Sequence, residues 1–131
     1  MFRGIYIASR LENALQVQEL RDSLAVHGVF LTYDWTRHGS VQSDGVDRMR
    51  EVAQNEADGV RRARVLVALL PGGRGTHVEI GIALGRRIPV LLVGEQPGPY
   101  ECAFYHHPLV ERVALSVVPQ RLHELLSLTG P

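Results

Sequence analysis

Residues 65–70 form a short apolar, β-branched run that ends in Pro71-Gly72-Gly73-Arg74-Gly75-Thr76-His77-Val78-Glu79-Ile80-Gly81, and residues 78–87 beyond it read as a helix. A strand that runs through a glycine turn into a helix is the repeating unit of an open parallel sheet, and few other architectures accommodate it. The turn has its own chemistry. Glycines let the backbone bend tightly and bring its N–H groups close to a ligand, and a helix start adds free donors and a positive dipole end, so the segment favours an anion. Glu79 then projects a carboxylate from what reads as the first helical turn. The same letters also spell a capping box, Thr76-x-x-Glu79, in which the two side chains satisfy each other's backbone N–H groups. Capping does not account for three glycines and a proline in five residues. Neither the GxGxxG dinucleotide fingerprint nor the GxxxxGK[ST] phosphate loop is present.

The rest of the chain alternates in the same way. Residues 2–8 read as a strand, followed by a helix carrying Ala14, Val17, Leu20 and Leu24 at three- and four-residue steps and closed by Gly28. Residues 29–33 read as a second strand. Residues 34–45 form a long polar loop, of the kind that is usually functional in a compact domain. Val46, Met49, Val52, Ala53, Ala57 and Val60 mark a second helix, residues 88–93 a fourth strand, and residues 110–117 a fifth. A closing helix begins at Pro119 and continues through Leu122, Leu125 and Leu126. The 131 residues therefore predict a single α/β domain, residues 1–131, as a flavodoxin-like (Rossmann-like) three-layer sandwich with a five-stranded parallel sheet in the order 2-1-3-4-5. Ligands in such sheets bind outside the carboxyl ends of the strands where the order reverses, here between strands one and three. Ala8, Ser9 and Arg10 should then face Gly73, Arg74, Gly75, Thr76 and Glu79 across one crevice, with the 34–45 loop at its flank.

Charge narrows the chemistry. Fourteen basic and fourteen acidic residues cancel, which gives no field to hold nucleic acid or an anionic membrane, so a small molecule is the expected ligand. All the basic residues are arginine, and this removes lysine Schiff bases and lysine-held cofactors; no cofactor is expected. One cysteine, Cys102, permits no internal disulfide, no apolar run reaches the roughly 20 residues that span a bilayer, and the first ten residues do not read as a leader, so a cytoplasmic location is expected.

Ile5-Tyr6-Ile7-Ala8-Ser9, the Asn55-Glu56 pair and the run Gly75-x-x-x-Glu79-x-Gly81-x-Ala83 together resemble the nucleoside 2-deoxyribosyltransferase family, including its branch that hydrolyses nucleoside 5′-monophosphates. The resemblance covers about residues 3–93. Pro71-Gly72-Gly73-x-Gly75-Thr76-x-x-Glu79 is also similar to the motif of the cytokinin-activating phosphoribohydrolases. Both families break the N-glycosidic bond of a nucleoside or nucleotide with a glutamate at this place. The resemblance implies an enzyme in which Glu79 is the nucleophile on the anomeric carbon or the carboxylate that stabilises an oxocarbenium-like centre. It makes Tyr6 the strand-one tyrosine that helps hold nucleophile and sugar, and places Ser9 and its neighbour Arg10 beside the sugar or its 5′-phosphate. Glu56 stands where the family usually has aspartate, so protonation of the leaving base falls either to Glu56 or to another acid such as Asp34. No asparagine follows strand four, where the transferases supply one across a subunit interface.

Cleavage at such a bond needs negative charge beside the developing cation and a proton or hydrogen bond for the departing base. Two carboxylates with separated pKa values meet that need, and the N–H groups of the glycine turn are expected to keep Glu79 ionised. Trp35 is placed either to stack on a base or to cover the core, and His38 in the same loop is a weaker candidate for base or substrate. His77 reads as a contact to phosphate or to its neighbours. Adjacent His106 and His107 lack the companions of a metal site, and no metal is expected. The family's members complete their sites with a neighbour's residues, so a homodimer or higher homo-oligomer is expected, its apolar surface supplied by Pro99, Tyr100, Phe104 and Tyr105. A nucleotide sensor or signalling module of the same fold, without turnover, stands as the alternative of another class.

Overall fold

The computed structural model describes residues 2–99 and 101–128. Five parallel strands form one sheet in the order β2-β1-β3-β4-β5: β1 Gly4–Ala8, β2 Phe30–Leu31, β3 Leu66–Leu69, β4 Val90–Val93 and β5 Val110–Arg112. Four α-helices connect and close it: α1 Ala14–Ala25, α2 Val46–Arg62, α3 Arg74–Gly85 and α4 Val118–Leu128. The central strands β1, β3 and β4 are buried at every position, as strands without a charged residue should be when helices cover both faces of a parallel sheet. The register sets Tyr6 opposite Leu66, Ile7 opposite Val67 and Ala8 opposite Ala68, so β1 and β3 end side by side.

Helical spacing supplies the rest of the core. Val17, Leu20 and Leu24 of α1 and Val118, Leu122 and Leu126 of α4 are buried at three- and four-residue steps, which is the apolar stripe of a helix laid on a sheet. Gly28, at φ +77°, turns the chain out of α1, and its N–H returns to the Ala25 carbonyl at 3.0 Å. The edge strands are shorter than their residues suggest. Only Phe30 and Leu31 of the 29–33 run pair with β1, and the 110–117 run ends as a strand at Arg112 and resumes as a 3₁₀ turn over Leu115–Val117. α4 starts at Val118, one residue ahead of Pro119.

The larger difference lies in the glycine turn. α3 begins at Arg74 with Gly73 as its N-cap, so Arg74, Gly75 and Thr76 belong to the first helical turn and Glu79 to the second. The expected Thr76–Glu79 capping box is therefore replaced. The Gly73 N–H donates instead to the Thr76 hydroxyl at 3.1 Å. Gly72 allows this, because a Cβ there would fall 2.6 Å from Thr76 Cγ2.

Candidate active site

The crevice at the carboxyl ends of β1 and β3 opens into a cavity of about 310 Å³, the size class of small-ligand sites. Its walls come from the turn after β1 (Ser9, Arg10), the loop after β2 (Trp35, His38, Gln42), α2 (Val52, Glu56) and the start of α3 (Gly73, Gly75, Thr76, Glu79). Residues far apart in sequence converge because each strand hands its chain to the same end of the sheet.

Glu79 is the buried acid of this cavity, with 6% of its surface exposed. The Tyr6 hydroxyl donates to its Oε2 at 2.8 Å, and Glu56 shares a hydrogen bond with it from α2. Burial raises the Glu79 carboxyl first, and the hydrogen bond and charge of Glu56 raise it further, to about 9; the Tyr6 bond pulls the other way. The expectation that amides of the turn hold Glu79 ionised is thus overturned. Glu79 sits about 7.5 Å along the axis from the helix start, beyond those donors. Raised to about 9, the Glu79 carboxyl holds its proton at neutral pH and can donate it to Glu56. Tyr6 is fully buried beneath Glu79 and outside the cavity wall, so it acts through the carboxyl that it holds. Its own ionisation is driven far upward by burial and then by the Glu79 charge, which leaves it a pure donor.

Gly59 makes this closeness possible. A Cβ there would lie 2.7 Å from Tyr33 Cβ and 3.3 Å from the Tyr6 ring, so α2 settles onto β1 only because the side chain is missing. Glu56, nearly one turn earlier on α2, is carried inward with it. Nothing in the sequence marks Gly59, since its partners are more than twenty residues away.

The polar turns are locked to each other. Ser9 donates its hydroxyl proton to the Leu69 carbonyl at 2.7 Å and accepts from Asn13 Nδ2 at 2.8 Å, while the same Asn13 amide reaches the Pro71 carbonyl at 2.9 Å. Ser9 lines the cavity as part of this frame. Arg10 lines it too, with its Nε buried and unpartnered. Trp35 is 7% exposed and donates its indole N–H to the Ile7 carbonyl at 2.8 Å, so it both covers the core and presents its ring to the cavity. His38 binds the Gly39 carbonyl through Nδ1 at 2.8 Å; that bond makes Nδ1 the protonated nitrogen and leaves Nε2, buried without a partner, as a lone-pair acceptor.

Three expected site residues stand elsewhere. Ala8 is fully buried between β3 and the core and does not line the cavity. Arg74 is exposed and lines a separate shallow groove with Gly72, His77 and Gln96. Asp34 is held outside the cavity by the Thr36 hydroxyl and N–H, by Arg21 at 2.8 Å and by Arg37 at 3.4 Å. Burial alone would raise its pKa, but these donors outweigh burial and the carboxyl is held below its ordinary value, so Asp34 is an unsuitable proton donor. The histidine pair is spent on local bonds: His106 meets Glu101 at 2.7 Å, and His107 accepts the Leu109 N–H at 3.0 Å. Among the described residues no group of three or more His, Cys, Asp or Glu is arranged to hold a metal, and no helix is long and apolar enough to cross a membrane. Of the apolar loop after β4, Phe104 is exposed and Tyr105 buried, and Tyr100 lies outside the described residues.

The sequence model of the nucleoside 2-deoxyribosyltransferases matches residues 5–116, most of the chain and all of the elements that build the crevice. The chain belongs to this family. No curated protein matches it. Among solved structures, the CMP N-glycosidase BcmB of Clostridium botulinum superposes with a TM-score of 0.57 at 17% identity, over 93% of this chain and 97% of the other, and so shares its fold. Membership of the deoxyribosyltransferase family agrees with the sequence resemblance over residues 5–93 and extends it through β5.

Proposed function

We propose that the protein cleaves the N-glycosidic bond of a nucleoside 5′-monophosphate, by hydrolysis or transfer. The observation that carries this reading is one buried carboxyl, Glu79, held by Tyr6 and Glu56 on the cavity wall one turn below a helix start. That spacing answers a difficulty in the sequence, since a carboxylate in the same turn as an anion site would repel the anion. The first N–H groups of a helix have no intrahelical acceptor, so those of Gly75 and Thr76, which line the cavity, are free to receive a phosphate. Arg10 brings a cation to the same wall. About 4.5–6 Å further along α3 from those groups, a separation of the order of phosphorus to anomeric carbon in a nucleotide, stands Glu79.

In the reaction, Glu79 gives up its proton to the departing base and is left charged, with the Tyr6 hydroxyl bonded to it. Glu79 then attacks the anomeric carbon or stabilises the cation that forms there, while the carbon–nitrogen bond breaks and its electrons pass to the base. His38 Nε2, a lone-pair acceptor on the cavity wall, is placed to take a hydrogen bond from the base; Trp35 offers a ring for the base to lie on. A water molecule or a second base completes the cycle on the sugar.

The test is a panel of nucleosides and their 5′-monophosphates, with free base measured by chromatography. A charge-assisted hydrogen bond is worth about 1.5–3 kcal/mol, so kcat/KM for at least one monophosphate should exceed that of its nucleoside by about tenfold or more. Equal values would remove the phosphate from the reading. Release of no base from any substrate would favour the sensor alternative.

A further inference from the structure

The first turn of α3 is fastened from behind by residues that never reach the cavity. The Gly73 carbonyl accepts the first backbone bond of the helix, from the His77 N–H, at a long 3.3 Å, and it also accepts His77 Nδ1 at 2.8 Å. His77 therefore ties its side chain back to the residue that precedes its own helix. With Nδ1 donating, Nε2 is the acceptor, and the Tyr105 hydroxyl donates to it at 2.6 Å. The Tyr105 ring is buried, lies 5.7 Å from the His77 ring and carries the Arg112 guanidinium 5.9 Å above it. Arg112, on β5, is in turn bonded to the Gly94 carbonyl at 2.8 Å. Gly72, one residue earlier, is gripped on both sides of its backbone: its N–H donates to Gln96 Oε1 at 2.7 Å, and its carbonyl accepts Gln96 Nε2 at 3.0 Å.

We infer that His77, fixed by Tyr105, is a positioning residue for anion binding: it sets the direction of the Gly73–Arg74 peptide from which the helix proceeds and thereby holds the free N–H groups of Gly75 and Thr76 at the cavity wall. Three features carry this. The imidazole bond is the shorter of the two at Gly73, so it governs where that carbonyl points. The Gly72 and Gly73 N–H groups are occupied, by Gln96 and Thr76, so the remaining donors of the turn are those of Arg74, Gly75 and Thr76, which follow from the peptide that the His77 bond holds. The fastening is rigid along its length, because a buried tyrosine and a stacked arginine leave the ring no other rotamer that keeps both bonds.

This inference rests on the phosphate reading above, and the experiment separates the two. His77→Ala and Tyr105→Phe are compared with wild type on one monophosphate and on its nucleoside. The brace predicts that His77→Ala raises KM for the monophosphate about tenfold while kcat and the nucleoside KM stay within about twofold, and that Tyr105→Phe moves the same parameter less. His77→Asn, which retains a donor at the Nδ1 position, should recover part of the loss. Amide hydrogen exchange over residues 73–77 gives a readout independent of turnover: exchange there should quicken in His77→Ala and, more weakly, in Tyr105→Phe. Unchanged exchange in both variants overturns the brace, as does an equal loss of kcat on the two substrates. If wild type shows no phosphate preference while exchange quickens as stated, the substrate reading fails and the fastening of the turn stands. If His77→Ala does not fold, Tyr105→Phe carries both measurements.

Discussion

Two carboxyls stand at the carboxyl end of this sheet in opposite conditions. Asp34, after β2, is nearly as buried in its side chain as Glu79, yet it is surrounded by donors: the Thr36 hydroxyl and amide and the guanidinium groups of Arg21 and Arg37. Glu79, after β3, has one neutral donor, Tyr6, and a second acid, Glu56. The first carboxyl is held charged and the second is held protonated at neutral pH. The number and sign of the partners thus decide what a buried acid is for. A largely buried carboxylate with four donors is a fixed part of the frame, and one that is short of donors can gain from an approaching cation.

The contrast is most exposed to Glu79→Gln. The amide keeps the volume and can still accept from Tyr6, but it has neither charge nor nucleophilicity, so base release should fall by about a thousandfold or more with the protein folded. Near-native turnover in this variant would end the assignment. Asp34→Asn should do the reverse. Loss of the charged acceptor should lower stability by about 1.5–3 kcal/mol, read from denaturant midpoints, while kcat/KM stays within a few-fold of wild type. A large drop in kcat/KM without destabilisation would return Asp34 to the reaction.

A smaller effect sharpens the same comparison through pH. The Glu79 carboxyl is raised by folding from 4.5 to about 9, so the folded protein binds this proton more tightly than the unfolded chain does. The stability that this contributes is fully present below about 4.5 and is lost as pH rises through about 9. Glutamine has no proton to lose. The thermal midpoint of Glu79→Gln minus that of wild type should therefore grow across this range and level off above it, whereas Asp34→Asn minus wild type should become less negative as pH falls below the ordinary aspartate range, since a lowered pKa contributes stability only while the group is charged. A flat difference for Glu79→Gln would show its carboxyl to be ionised throughout.

The strand order, the crevice and most of its wall were legible in the sequence because they follow from local pattern: apolar runs of strand length, helices at three- and four-residue steps, and the rule that places ligands where the order reverses. The misreadings share a cause. Glycines 72, 73 and 75 read as loop, but Gly73 is an N-cap and Gly75 a helical residue, which moved Glu79 into the second turn and away from the amides. Arg74 reads as a phosphate ligand from its neighbours in sequence, yet a helix turns successive residues by 100°, and it points outward while Gly75 and Thr76 line the cavity. Asn13, Gly59, Gln96 and Tyr105 do their work on partners between 24 and 58 residues away, a distance over which composition and periodicity carry no signal.

The contact at Gly59 has a practical use. Since α2 is seated on β1 by the lack of one methyl group, the gap between the acids is adjustable at a position that touches neither. Gly59→Ala would lift the helix and draw Glu56 back, lengthening the gap while leaving both carboxyls in place. One small side chain on the outer helix is therefore a handle on how far Glu56 raises the Glu79 carboxyl.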